Sequence, residues 1–285
     1  MKSDAGSIGR LHLAVALFGL SAMLGRLVDL PAVLVAGGRV VYSSLLLAVL
    51  CRVQHTPVLP RCRRDALLAA GTGVVLAAHW TTFFLSIQYA SVAVGTLTYA
   101  TFPLFVTFLE PLLFGERLSL RSVARAGLLL AGVLITVPSF SLADRTTVGA
   151  LWGMVSSLCY ALMTLANRRL AARYPARTVC LWEQGTAAVV LLPAFFLVPA
   201  VWTARDLGAV AVLGFVCTAL AHSLYVAAQK RVRAQTAGLI SGLETVWGIL
   251  YALVFLGEAP TPRELAGGAV ILGVAALSTL RPERT

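Results

Sequence analysis

Charge is scarce in this chain. Of its 285 residues 12% are charged, and acidic side chains number 12 against 23 lysines and arginines. With 59% hydrophobic residues and a mean hydropathy of +0.86, a soluble domain of this length is excluded. The five cysteines include no C-x-x-C pair, so neither a disulfide framework nor a thiolate metal site is indicated. No P-loop, H-E-x-x-H or G-x-S-x-G occurs, so no cofactor or metal is expected and any energy must come from gradients or a partner.

What the chain has is apolar length. A bilayer core takes about 20 apolar residues per helix. Ten such spans are read at 10–28, 31–50, 65–86, 91–114, 121–138, 147–167, 177–199, 206–228, 234–256 and 263–280. The expected fold class is an all-α polytopic membrane protein.

The spans fall into two matching sets. Leu113-Phe114-Gly115-Glu116 closes one apolar stretch, and Phe255-Leu256-Gly257-Glu258 closes another 142 residues later. His79 matches His222 and Gly95 matches Gly238 at an offset of 143, while Gly127 and Gly132 match Gly268 and Gly273 at 141. Five spans per copy is an odd number, so the second copy must enter the membrane from the opposite side. The expectation is two inverted five-helix repeats, 1–142 and 143–285, joined at Ser139–Thr147. Inverted repeats of this kind build alternating-access carriers.

The basic residues set the orientation. With the N-terminus in the cytoplasm, only Arg26, Arg145, Arg205 and Arg263 fall outside, Arg39 lies within a span, and the rest of the 23 fall inside. The positive charge is therefore topogenic and speaks against nucleic acid as a partner. Lys2 and Arg10 before an apolar run resemble a signal peptide, but cleavage near Ala22 would leave nine spans and break the repeat. An inner cell membrane with both termini cytoplasmic is expected.

The fourth and ninth spans each end in apolar-Gly-Glu, and short Gly- and Ala-rich spans follow. In this the sequence resembles the EamA-type branch of the drug/metabolite transporter superfamily over essentially its whole length. The resemblance includes Arg39 in the second span, where that family commonly carries a basic residue. Leu243-Glu244-Thr245-Val246 resembles a frequent Leu-Glu-Pro-Val variant, with Thr245 where the proline, and its kink, would lie. The resemblance implies a secondary transporter, export rather than uptake, and amino acids or similar amphipathic metabolites as substrates. YddG-type amino-acid exporters are the subgroup to compare first.

Ionisable groups inside a membrane are costly and mark functional positions. Arg39 is a candidate cation for a substrate carboxylate or phosphate, or else half of a structural pair with Glu244 or Glu110. Glu244, at similar depth, suits proton coupling or an ammonium ligand, or else a salt bridge to Arg39. Glu183 is a further intramembrane candidate. His79 and His222 either exchange protons, one toward each side, or are packed imidazoles. Tyr99, Tyr160 and Trp247 lie on polar stripes that line a cavity or simply pack helices. Pro103 is expected to kink the fourth span, and Gly95, Gly238 and Gly242 to permit close helix approach. Glu116 and Glu258 are expected to cap or pair at turns.

The function expected is export of a small amphipathic metabolite by alternating access, with protons as candidate coupling ion and a homo-oligomer as candidate assembly. A carrier or facilitator of nucleosides, sugars or organic cations is the alternative. An intramembrane enzyme using Ser241 and His222 is the remote one, since it leaves the repeat unexplained.

Overall fold

The computed structural model describes residues 5–115, 118–139, 141–229, 232 and 240–280. Every regular element among them is helical. In order these are α1 (Ala5–Leu27), α2 (Ala32–Val53), α3 (Arg63–Tyr89), α4 (Val92–Tyr99), α5 (Phe102–Phe114), α6 (Leu120–Thr136), α7 (Arg145–Ala171), α8 (Ala176–Leu191), α9 (Ala194–Leu197), α10 (Ala204–Gly214), α11 (Ala221–Gln229), α12 (Leu243–Tyr251) and α13 (Pro262–Leu280). Two π-helical stretches are inserted: Phe215–Leu220 joins α10 to α11, and Ala252–Leu256 continues α12. Among the described residues seven helical segments are long and apolar enough to cross a membrane, and Leu243–Leu256 is a shorter apolar one. Leucines and valines stay exposed along the outside, as lipid contact requires.

Helix ends follow local chemistry. Gly115 and Gly257, in the two apolar-Gly-Glu motifs, sit at φ 71° and 66°, the left-handed conformation that ends a helix at low cost only in glycine. Ser91, Ser119 and Asp144 accept the Val94, Ser122 and Thr146 amides at the starts of α4, α6 and α7. Three other bonds hold the Asp144 carboxyl below the ordinary carboxylate range with that amide, the leading one from the Ser139 hydroxyl.

The fourth span is not one kinked helix. It breaks at Ala100–Thr101, and Pro103 stands in the first turn of α5, where its missing amide proton is not needed. Proline inside α5 is Pro111. Packing is paired across the chain. α3 lies on α7 and α8, while the 204–229 stretch lies on α1 and α2; α4 lies on α7, and α12 on α1. α2 meets α8, and α6 meets α13.

Candidate functional site

A small cavity of about 60 Å³ lies in the middle of the bundle, lined by Phe18 and Ser21 of α1, Arg39 of α2, His79, Trp80 and Phe83 of α3, Tyr99, Tyr160, His222 and Glu244. It adjoins a wider space of about 440 Å³ that shares Phe18, Tyr160, His222 and Glu244 and reaches Ala171 and Ala176 at the α7–α8 turn. A third space of about 220 Å³, lined by Thr56, Pro175, Arg177 and Cys180 among others, continues to the same end.

The opposite end is tied shut. Arg26 lies 3.5 Å from the Glu258 carboxylate and donates to the carbonyls of Ile87 and Gln88. Glu258 also accepts the Val92 amide at 2.5 Å. Glu264 accepts from the Ser91 hydroxyl, and Gln88 donates to the Leu30 carbonyl. Asp206 accepts the Asp29 amide across the α1–α2 turn. The apolar-Gly-Glu motif of the ninth span thus ends its helix and then latches α1 and α4; Glu116, its counterpart, lies outside the described residues.

Arg39, 3% exposed, donates from Nε and Nη2 to Thr218 Oγ1 at 3.0 and 2.8 Å. Thr218 in turn donates to the Leu213 carbonyl within the π-helical turn. The guanidinium lies 3.8 Å from the centre of the Trp80 ring, a contact worth about 2 kcal/mol when desolvated. No carboxylate stands within 4.0 Å of Arg39 among the described residues, so the expected pair with Glu244 or Glu110 is not formed. Glu244 lies on the wall of both adjoining spaces, near enough to act on Arg39 electrostatically.

Both histidines are anchored through Nδ1. His79 Nδ1 lies 3.0 Å from the Ser156 carbonyl and 2.9 Å from its hydroxyl. His222 Nδ1 lies 3.0 Å from the Thr218 carbonyl. A carbonyl only accepts, so each Nδ1 carries the proton and donates, which leaves Nε2 as an acceptor. Around His79 the rings of Tyr99 and Tyr160 stand at 5.5 and 5.3 Å, and at 5.2 Å from one another.

Glu183, 5% exposed, lines the wider space rather than the small cavity, and its Oε1 has no hydrogen-bond partner. Trp247 lines neither: its Cβ packs against Gly19 of α1 and its ring lies on Tyr251. Gly95 presses α4 on α3, where a Cβ would meet Ile87 at 2.7 Å. Gly242 precedes α12 as its N-terminal cap. Gly238 lies outside the described residues. Sequence reasoning passed over Phe18, Ser21, Trp80 and Phe83; Phe83 follows His79 by four residues, and that helical spacing was the available signal.

The site can seat one anion beside Arg39 and one cation beside Glu244 within an aromatic wall. Ser241 meets Tyr225 Oη at 2.8 Å.

Comparison with known proteins bears on what such a cavity is for. The aromatic amino acid exporter YddG of Ancylobacter novellus is 27% identical over 75% of this chain and 76% of its own. The pseudopaline exporter CntI of Pseudomonas aeruginosa is 26% identical over 90% of this chain and 88% of its own. One solved crystal structure, 23% identical, superposes with a TM-score of 0.67 over 98% of both chains and shares the fold. YddG and CntI are exporters, not enzymes. The EamA-like transporter family matches residues 9–137 and 147–280, and with its apolar helices the chain is an integral membrane protein belonging to that family.

Proposed function

We propose that this protein is a secondary carrier that exports small zwitterionic, amphipathic metabolites, amino acids foremost. Ten spans in two inverted halves, 1–142 and 143–285, alternate access across an inner membrane, with both termini cytoplasmic. The observation that carries the reading is that Arg39 and Glu244 share one cavity without pairing. Arg39 takes the substrate carboxylate bidentately, Glu244 takes the ammonium, and Tyr99, Tyr160 and His79 grip the apolar remainder. A zwitterion thereby meets each buried charge with its opposite, which offsets the cost of desolvating both.

The paired packing supports the two-fold design: exchanging the halves maps α3 on α7 and α8 onto the 204–229 stretch on α1 and α2. The basic ends of the spans lie on the side to which the cavity leads, so the state described is open to the cytoplasm. The amino-acid exporter among the relatives supports the substrate class.

The test is counterflow. Labelled amino acids enter proteoliposomes faster when unlabelled amino acid is trapped inside, and amides lacking the carboxylate give no such acceleration. If no amino acid accelerates entry, the reading is wrong and nucleosides, sugars and organic cations are the classes to try.

A further inference from the structure

The second half of the chain holds a carboxylate at a crossing like that of Arg39. Gly214 lies so close to α2 that a Cβ there would stand 2.9 Å from the Arg39 carbonyl oxygen and 2.4 Å from Tyr42 Cβ. Gly73 lies against α8 in the same manner, 2.8 Å from the Glu183 carbonyl oxygen and 2.4 Å from Thr186 Cβ. Gly73 and Gly214 are 141 residues apart and Arg39 and Glu183 are 144 apart, close to the offsets of the sequence repeat. One crossing carries a cation and the other an anion.

Their partners differ. Arg39 is held by Thr218 and Trp80. Glu183 Oε1 and Asn167 Oδ1 are both buried acceptors without a donor, and both residues line the wider space. Cys180 precedes it by three residues on α8, and from α7 come Asn167, which hydrogen-bonds the carboxyl, and Tyr160. Cys51 of α2 and Cys180 are thiols in the same electrostatic neighbourhood. α3 crosses at Gly73, its Asp65 engaged by Arg173 and Tyr174 and its His79 by Ser156. Across the cavity are His222, Tyr225 and Glu244. No basic side chain stands within 4.0 Å of Glu183 among the described residues.

A buried carboxylate without a cation must be neutralised by a guest. The substrate ammonium is assigned to Glu244, and on that reading we propose that Glu183 carries the coupling proton, one proton moving inward for each substrate exported. In the outward-open state hydronium gives its proton to Oε1, forming the O–H bond and leaving water. In the cytoplasm-open state that bond breaks and the proton returns to water in the wider cavity. Asn167 hydrogen-bonds the carboxyl from α7, and Oε1, which has no partner, is the oxygen free to take the proton.

For one proton per substrate, an imposed gradient of one pH unit shifts the accumulation ratio by up to about tenfold. Full-length protein in proteoliposomes is expected to show this shift. Glu183→Gln should keep trans-stimulated amino-acid exchange and lose the shift, and Glu183→Asp should retain both. Exchange that ignores the pH gradient in the unaltered protein, or a Glu183→Gln variant that still responds, overturns the proposal. If no amino acid is exchanged at all, the substrate reading has failed, and infrared spectra of the protein in nanodiscs decide the proton site separately. A protonated-carboxyl band that titrates, disappears in Glu183→Gln and survives in Glu244→Gln supports it; a band unaffected by Glu183→Gln overturns it.

Discussion

Thr218 is where a single hydroxyl governs the pose of the cavity's cation. Thr218→Val keeps the shape of the side chain, which is fully buried, and removes the oxygen that accepts from both Arg39 Nε and Nη2. A hydrogen bond to a charged group contributes about 1.5–3 kcal/mol, and leaving a buried donor unmet adds its desolvation cost. Both bonds share one oxygen, water can enter from the adjoining space, and the Trp80 ring still holds the guanidinium. These offsets place the loss near 2 kcal/mol, or about 30-fold in affinity. Counterflow kinetics should show KM for an amino acid rising by about that factor, with Thr218→Ser close to the original protein. Combining Arg39→Gln with Thr218→Val should give a higher thermal midpoint than Thr218→Val alone, because the unmet charge is then gone. If Thr218→Val leaves KM and the midpoint unchanged, the idea that Thr218 poses Arg39 is refuted.

Other outcomes follow from packing and charge. Gly73→Ala places a methyl 2.4 Å from Thr186 Cβ and 2.8 Å from backbone, and should destabilise by about 1–3 kcal/mol, whereas Gly185→Ala meets open space and should not lower the thermal midpoint. Glu258→Gln weakens the latch on Arg26 and Val92, so a Ser21→Cys probe in a background without native cysteines should become labelled from the latched side; unchanged labelling would count against the latch. Asp144, half-buried, is depressed below its usual 3.8 on folding by its hydrogen bonds, the Ser139 hydroxyl first, so its contribution is present at neutral pH and lost as pH falls through the folded value. Asp144→Asn should therefore flatten the acid end of a pH–melting curve, and an unchanged acid limb would contradict that.

Much of the architecture was legible because a bilayer leaves few choices. Apolar runs of membrane length, bounded by Pro, Gly and basic loops, announced the helices, and the doubled Gly-Glu marked two helix ends, though not the left-handed conformation that Gly115 and Gly257 adopt there. The cost of intramembrane charge singled out Arg39, His79, His222 and Glu244 before any of them was seen around one cavity. What stayed hidden depends on neighbours. Spacing alone shows neither the break at Thr101 nor the place of Pro103 at the head of α5, where α4 and α5 each pack on α7. Trp247 shares a helical stripe with Glu244, yet Gly19 opens a place for it on α1, and spacing alone cannot show that. The partner of Arg39 was a neutral hydroxyl 179 residues away, on a stretch locally wound as a π-helix.

That winding has a mechanical consequence. A π turn accommodates one residue more than an α turn, so it behaves like a dislocation in a crystal: it can pass along the rod by remaking bonds one at a time. A shift of one register turns the side chains it passes by about 100°. Among the described residues both such defects, Phe215–Leu220 and Ala252–Leu256, lie in the second half, beside His222 and after Glu244 respectively. Deleting Ala219 should anneal the first defect, swing either Thr218 or His222 off its bearing and stop exchange in a protein that still folds; full exchange in that deletion would show the defect to be idle. The described residues of the first half carry no such defect, so any change of register by this route belongs to the second half.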